Sequence, residues 1–381
     1  MLDPLLSLHQ EAGAEFQPYA DRQIVTTFGF PQAEYAAIHK GAAIMDLSHR
    51  GVLELTGRDR HVFLNNLLTN QTYDKQAGRG MELGSAVYAF FLNNKGRIFA
   101  DMNVIELGER TFLEMDARMV EPVRQTLEKY LFAEQVLVVN RVGQLHVLLI
   151  TGPGALQLVG TDLSPMRCAT SRLLGTEVVL FRDDLCGVPG IVVICGAGDA
   201  ATLWLRFAAR PPEQVAGVNS RPAEADATPA RELAVPVGWA AFNAARIEAG
   251  RPLFGVDFDD SVLPVETGQL DRAVSFTKGC YLGQEVVARM HARGQVARRL
   301  VGIRMEADAL PIAGTKVLDD QGNEVGGITS STVSPLLSNA CIAMGYVRRP
   351  LFEIGTRVRV PAEGAIRTGV VVELPFAGTR K

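Results

Sequence analysis

The sequence predicts an α+β protein of several domains, and three observations predict it. Two successive blocks of strands and helices follow a β-α-β-β-α-β order. A C-terminal stretch from about Arg298 consists of short strands separated by Gly, Asp and Asn turns, as in a small antiparallel barrel. The chain has 381 residues, too many for one small core, and 47% of them are apolar, so each domain can bury its own interior.

Asp3 and Pro4 open a helix through about Gly13, and "PQAEYAAIHKGAAIMDLS" reads as a second helix entered through Pro31. "GVLELTG" (51 to 57) alternates as a strand and "RDRHVFLNNLL" has helical apolar spacing. "SAVYAFFLNNKGRIFADMNVIEL" reads as two strands joined at Asn93 to Gly96, residues that tolerate positive φ in a tight turn. "RTFLEMDA", a helix over "MVEPVRQTLEKYLF" and the strand "VLVVNRV" complete the first block. The second runs through "LHVLLITG", "GALQLVG", "TEVVLFRDD", "PGIVVICGA" and the helix "DAATLWLRFAAR". Residues 211 to 235 are rich in Pro, Ala and small polar residues and read as a loop or linker; the helix "GWAAFNAARIEAG" follows and ends at Gly250.

The net charge of −4 gives no global attraction to nucleic acid or anionic lipid. No uninterrupted apolar run is long enough to cross a bilayer, and the first residues lack the succession of a secretory signal, so a cytoplasmic protein is expected. The cysteines at 168, 186, 195, 280 and 341 lie far apart without CxxC or CxxH spacing, which points to no zinc site and no disulfide framework.

The stretch "KGCYLGQEVVARM" (278 to 290) places Cys280 just before a helix expected to start near Gly283, with Gln284 and Glu285 in its first turn and Val286, Val287 and Met290 on its buried stripe. Lys278, Arg289, His291, Arg293, Arg298 and Arg299 lie close in sequence. A helix N-terminus and nearby cations favour a thiolate, so Cys280 is either a reactive thiol or a small buried apolar residue. The basic run is either an anion site or a solvated turn. Gly279 and Gly283 permit positive φ or a close ligand approach. Asp101 shares a strand face with Phe99 and Asn103, where a carboxylate is either a functional acid or base or a surface group on a half-exposed strand. "MDLSHRG" gathers Asp46, Ser48, His49 and Arg50, and a capped turn accounts for it better than a hydrolase does.

With these residues identified, the chain resembles the glycine cleavage T-protein (GcvT, aminomethyltransferase) superfamily and, within it, the YgfZ-type branch of folate-binding proteins. "KGCYLGQE", with Lys278, Gly279, Cys280, Tyr281, Gly283, Gln284 and Glu285, matches that branch's signature. "FGFPQAEYAAIHKGAAIMDLSHRG", "FLNNLLTN", "FLNNKGRIFAD" and "ARIEAGRPLFGVDFDDSVLPVET" follow in the order of the superfamily. The resemblance implies a three-domain fold with two ferredoxin-like halves around a central hole and a C-terminal β-barrel. Its expected boundaries are 1–50 with 141–275 for the folate-binding halves, 51–140 for a ferredoxin-like domain, and 276–381 for the signature helix and barrel.

It further implies a tetrahydrofolate pocket lined by Asp101, Tyr88, Arg246 and Arg50, with Asp101 beside the reactive nitrogens. Arginines suit the carboxylates of folate's glutamate tail because their fork geometry matches a carboxylate. The YgfZ branch implies support of iron-sulfur cluster assembly or repair, with Cys280 as the working thiol and iron-sulfur client or assembly proteins as partners. A tetrahydrofolate-dependent aminomethyl or methyl transferase, in which Asp101 acts and Cys280 is incidental, stays open, as does a non-catalytic partner-binding module. Ile191 stands where T-proteins carry a pterin-reading glutamate, and an isoleucine cannot accept the paired N–H donors of a pterin.

Overall fold

The computed structural model describes residues 3–209, 233–294 and 296–376. Most of the expected linker, residues 211 to 235, lies outside the described residues. The chain forms two compact units, one of residues 1–51 and 141–242, the other of residues 52–140 and 243–381.

The first unit is built on a six-stranded sheet ordered Cys168–Leu173, Thr176–Arg182, Gly190–Gly196, Leu145–Thr151, Ala43–Asp46 and Val235–Pro236, with only the last strand parallel to its neighbour. Helices Ala155–Val159 and Ala200–Phe207 supply Ala155, Val159, Leu203, Trp204 and Phe207 to the core against Ile44, Leu148, Ile150, Val193 and Cys195. The expected long helix from Pro31 stops at Lys40, and Ala43–Asp46 is a strand. Gly41 ends the helix, and all four residues of that strand are buried, so the strand presents an apolar run without the alternation that would reveal it. The hairpin Glu15–Tyr19 with Arg22–Thr27 also carried no periodic signal, because its strands are short and mostly polar.

The second unit holds a five-stranded sheet ordered Leu137–Asn140, Arg50–Thr56, Arg110–Asp116, Ile98–Glu106 and Ala86–Leu92. The last two strands form the expected hairpin, turning at Asn93 to Gly96, where Gly96 adopts φ +73°. Helix Ala117–Glu128 begins with Asp116 accepting from the Arg118 N–H as its N-cap. The C-terminal strands close into a six-stranded antiparallel barrel ordered Arg298–Met305, Ala340–Arg348, Glu324–Ser334, Lys316–Leu318, Arg357–Ala362 and Ala365–Val372, filled by Ile303, Val317, Val347, Val358 and Val371. Among the described residues no helix is long and apolar enough to cross a membrane.

Candidate functional site

In the second unit the strands Ala86–Leu92 and Ile98–Glu106 pair Phe90 with Asp101 and Tyr88 with Asn103. Tyr88 and Asp101 are thus diagonal neighbours on one face of the sheet, close enough for a long side chain to bridge. Tyr88 Oη donates to Asp101 Oδ2 at 2.7 Å. Asp101 is only 6% exposed, so the surface reading of this carboxylate is set aside. A buried carboxylate must be hydrogen-bonded, and the tyrosine meets part of that requirement while fixing the group's orientation.

Arg272, which sequence reasoning missed, places its guanidinium 4.1 Å from the centroid of the Tyr88 ring. It also lines a cavity of about 670 Å³ with Arg251, Thr267, Gln269 and Arg299. The segment Leu270–Ala273 that carries it has no motif of its own; only its contact with the Tyr88 strand reveals it.

Arg246 lies on helix Trp239–Glu248 with 0% exposure. Its guanidinium donates to Asp257 Oδ2 at 2.5 Å and to Asn243 Oδ1 at 2.7 and 3.0 Å. Asp257 Oδ1 in turn accepts from Thr329 and Ser330 of the barrel at 2.7 and 2.6 Å. Arg246 therefore fastens its helix to the barrel through a buried pair. Arg50 lies in the first unit, where it lines a cavity of about 230 Å³ with Arg22, Ser48 and His146.

Cys280 is exposed, whereas Cys168, Cys186, Cys195 and Cys341 are buried. The helix Gln284–Arg293 starts where expected, after Gly283 at φ +81°. A Cβ at Gly283 would stand 3.1 Å from Asn93 O and from Gly96 Cα, so this glycine lets the motif pack on the Asn93 to Gly96 turn. The cationic setting expected around Cys280 is largely spent elsewhere. Lys278 is buried and bonded to backbone carbonyls, Arg298 pairs with Glu266 at 3.2 Å, and Arg299 lies over the Phe352 ring at 5.1 Å. His291 stacks on Phe276 with centroids 4.1 Å apart.

In the first unit Ile191 is 0% exposed and belongs to the core between Ile150 and Arg182 in the sheet register, so no acceptor comes from that position. The "MDLSHRG" segment makes a turn closed by Arg50 N–H to Leu47 O at 2.7 Å. Its Asp46 is used differently from any sequence reading: Oδ2 meets His9 Nε2 at 3.0 Å and Oδ1 meets His146 Nε2 at 2.9 Å. Burial works against the charge on Asp46, but the charge and hydrogen bond of His146 and the bond of His9 hold its carboxyl well below the usual range. Burial likewise opposes protonation of His146, and Asp46 overcomes it and raises that imidazole. Asp3 brings a further carboxylate within 4.8 Å of Asp46 and His146, and burial with the neighbouring Asp46 raises it. These partners are separated by 37 and 100 residues, which no local spacing reveals.

Comparison with known proteins gives a consistent assignment. The family model described as the GCVT N-terminal domain matches residues 5–212, and the glycine cleavage T-protein C-terminal barrel domain matches residues 298–377. An aminomethyltransferase of Staphylococcus epidermidis is 27% identical over 366 residues, covering 94% of this chain and 93% of that protein. One from Geobacillus kaustophilus is 29% identical over 385 residues, covering 98% and 97%. The crystal structure of the glycine cleavage system aminomethyltransferase T from Bartonella henselae superposes with a TM-score of 0.83 at 24% identity, covering 99% of this chain and 98% of that one.

Proposed function

We propose, for a chain that belongs to the glycine cleavage T-protein family, that it binds a reduced folate at Tyr88 and Asp101 and transfers a one-carbon, aminomethyl-type unit. The observation that carries this reading is the buried Asp101 carboxylate, held by Tyr88 Oη at 2.7 Å with Arg272 over the same ring. The named aminomethyltransferases resemble this chain over more than nine-tenths of their length, which supports the same chemistry here.

The residues fit the reactive end of a tetrahydrofolate. When bound, that molecule supplies the nitrogens that carry the one-carbon unit. Asp101 would hold or receive the proton at such a nitrogen, a general acid–base contribution of roughly 10²- to 10⁴-fold. Tyr88 keeps the carboxylate oriented, and the cavity with Arg251, Arg272 and Arg299 offers cations to carboxylates of the glutamate tail. Ile191 is a core residue of the first unit and offers no carboxylate. The test is turnover of an aminomethyl donor by wild type, Asp101→Asn and Cys280→Ala. Loss in the aspartate variant alone supports the transferase, and equal activity of all three overturns it.

A second reading is favoured by one observation, the exposed thiol of Cys280 within "KGCYLGQE". It assigns the chain to the YgfZ-type branch, acting in the cytoplasm on iron-sulfur clients with folate bound. One cysteine cannot hold a cluster alone, since clusters take four ligands, so contact with a cluster would be shared with the client. Cells lacking the protein, complemented with wild type or Cys280→Ala, decide it: iron-sulfur enzyme activities recover with wild type only if this reading holds and recover equally with both if it fails.

A further inference from the structure

We propose that Lys278 is a positioning residue for the Tyr88–Asp101 site, acting through the turn at residues 65 to 70. The inference rests on the reading of that site as the folate site. In sequence Lys278 is a cation beside Cys280, but its side chain turns inward and is 8% exposed. Its ammonium donates to Asn65 O at 2.6 Å, to Asn70 O at 3.0 Å and to Leu68 O. Three donors meet three acceptors, and Asn65 and Leu68 lie at the C-terminal end of helix Arg60–Leu67, where carbonyls lack helical partners and a cation is favoured. The Tyr281 ring, centred 4.9 Å from the ammonium, packs beside it.

The turn so held is itself the clamp of the site. Asn70 Nδ2 donates to Tyr88 O at 2.8 Å and to Arg272 O at 3.0 Å. Thr69 Oγ1 donates to Ala273 O at 2.7 Å and accepts from the Phe90 N–H at 2.8 Å. Two residues thus tie the strand bearing Tyr88 to the segment bearing Arg272, and Lys278 bonds one of them, Asn70, and Leu68, which precedes the other. Removing the ammonium would take the donor from three carbonyls, two of them in buried contacts, which the turn can re-satisfy only by moving.

Burial, with the neighbouring Lys75, pushes the Lys278 ammonium down to about 7. Lys75 and the Tyr281 phenol, itself pushed up to about 12 by burial, lie beside it. Loss of the proton removes one of the three donors and loosens the clamp.

Calorimetric titration with 5-formyltetrahydrofolate, a stable reduced folate, tests this on wild type, Lys278→Met, Asn70→Ala and the surface variant Lys129→Met, each checked by thermal melting. The expected result is at least tenfold weaker binding by folded Lys278→Met and Asn70→Ala, with Lys129→Met within twofold of wild type. Wild-type affinity should fall severalfold from pH 6 to 8.5, and that of Lys278→Met should not. Folded Lys278→Met with wild-type affinity overturns the proposal. If that variant does not fold, a flat wild-type pH profile overturns it. No binding by folded wild type instead overturns the folate reading itself.

Discussion

Tyr88 and Asp101 sit on paired strands thirteen residues apart, and the tyrosine hydroxyl donates to the carboxylate at 2.7 Å inside the protein. Tyr88→Phe keeps the ring under Arg272 and deletes only the donor. Losing a hydrogen bond to a charged group costs about 1.5–3 kcal/mol. Folate affinity is expected to fall by roughly tenfold or more on that basis, as read by calorimetry, with the melting profile still cooperative.

The buried pair Arg246–Asp257 predicts a different response. Asp257→Asn removes the carboxylate charge that pairs with the Arg246 guanidinium in a place with no exposure. Breaking such a pair costs about 3–5 kcal/mol, far more than an exposed ion pair. Urea unfolding should show the midpoint of the variant displaced to markedly lower concentration.

Gly283 predicts a backbone effect. Alanine there must hold φ near +81° and bring its Cβ to 3.1 Å from Asn93 O. Left-handed backbone costs roughly 1–2 kcal/mol for an L-residue, and the tight contact adds to it. Gly283→Ala should therefore be less stable than wild type by at least that amount in urea unfolding, whereas Gly294→Ala, with open space around its Cβ, carries the backbone cost alone.

The Asp46–His146 pair sets a pH window. Asp46 is depressed, so its contribution to stability is present above the ordinary carboxylate value of about 4 and is lost as pH falls through the folded value. His146 is raised, so its contribution is full below about 6.5 and is lost as pH rises through the folded value. These are one interaction seen from two sides, at full strength between about pH 4 and 6.5. The stability difference between wild type and His146→Gln should be largest in that window and shrink toward pH 9, measured by urea unfolding at a series of pH values.

Cys280 predicts selective chemistry. Iodoacetamide applied to the folded protein should modify one site, Cys280, before the buried thiols, as peptide mass mapping would show. Equal labelling of Cys195, which burial raises to about 12, would contradict the placement.

Most of the fold was legible because its signals are local. The hairpin around Asn93 to Gly96, the start of the helix at Gln284 and the barrel's Gly and Asn turns each follow from turn chemistry and periodicity within a few residues. The strand Ala43–Asp46 was misread because a strand buried on both faces looks like a continuation of the apolar helix before it. Asp101 and Tyr88 are named together in the sequence only through the resemblance that implies them, and the hairpin register then accounts for their contact. Arg272, the inward turn of Lys278 and the two histidines on Asp46 could not, since their partners come from distant segments and a cation's partner is not written beside it. Arg246 enters as a ligand contact only through the resemblance, and the feature that defines its surroundings, Asp257, lies on the loop after its helix, where no local pattern links the two.

The most direct test of the central claim is calorimetric titration of 5-formyltetrahydrofolate into wild type and Asp101→Asn, both shown to be folded. Saturable binding by wild type that weakens at least tenfold in Asp101→Asn is the predicted result. Equal affinity in the two proteins, or no heat of binding in wild type, would contradict a folate site built on Asp101.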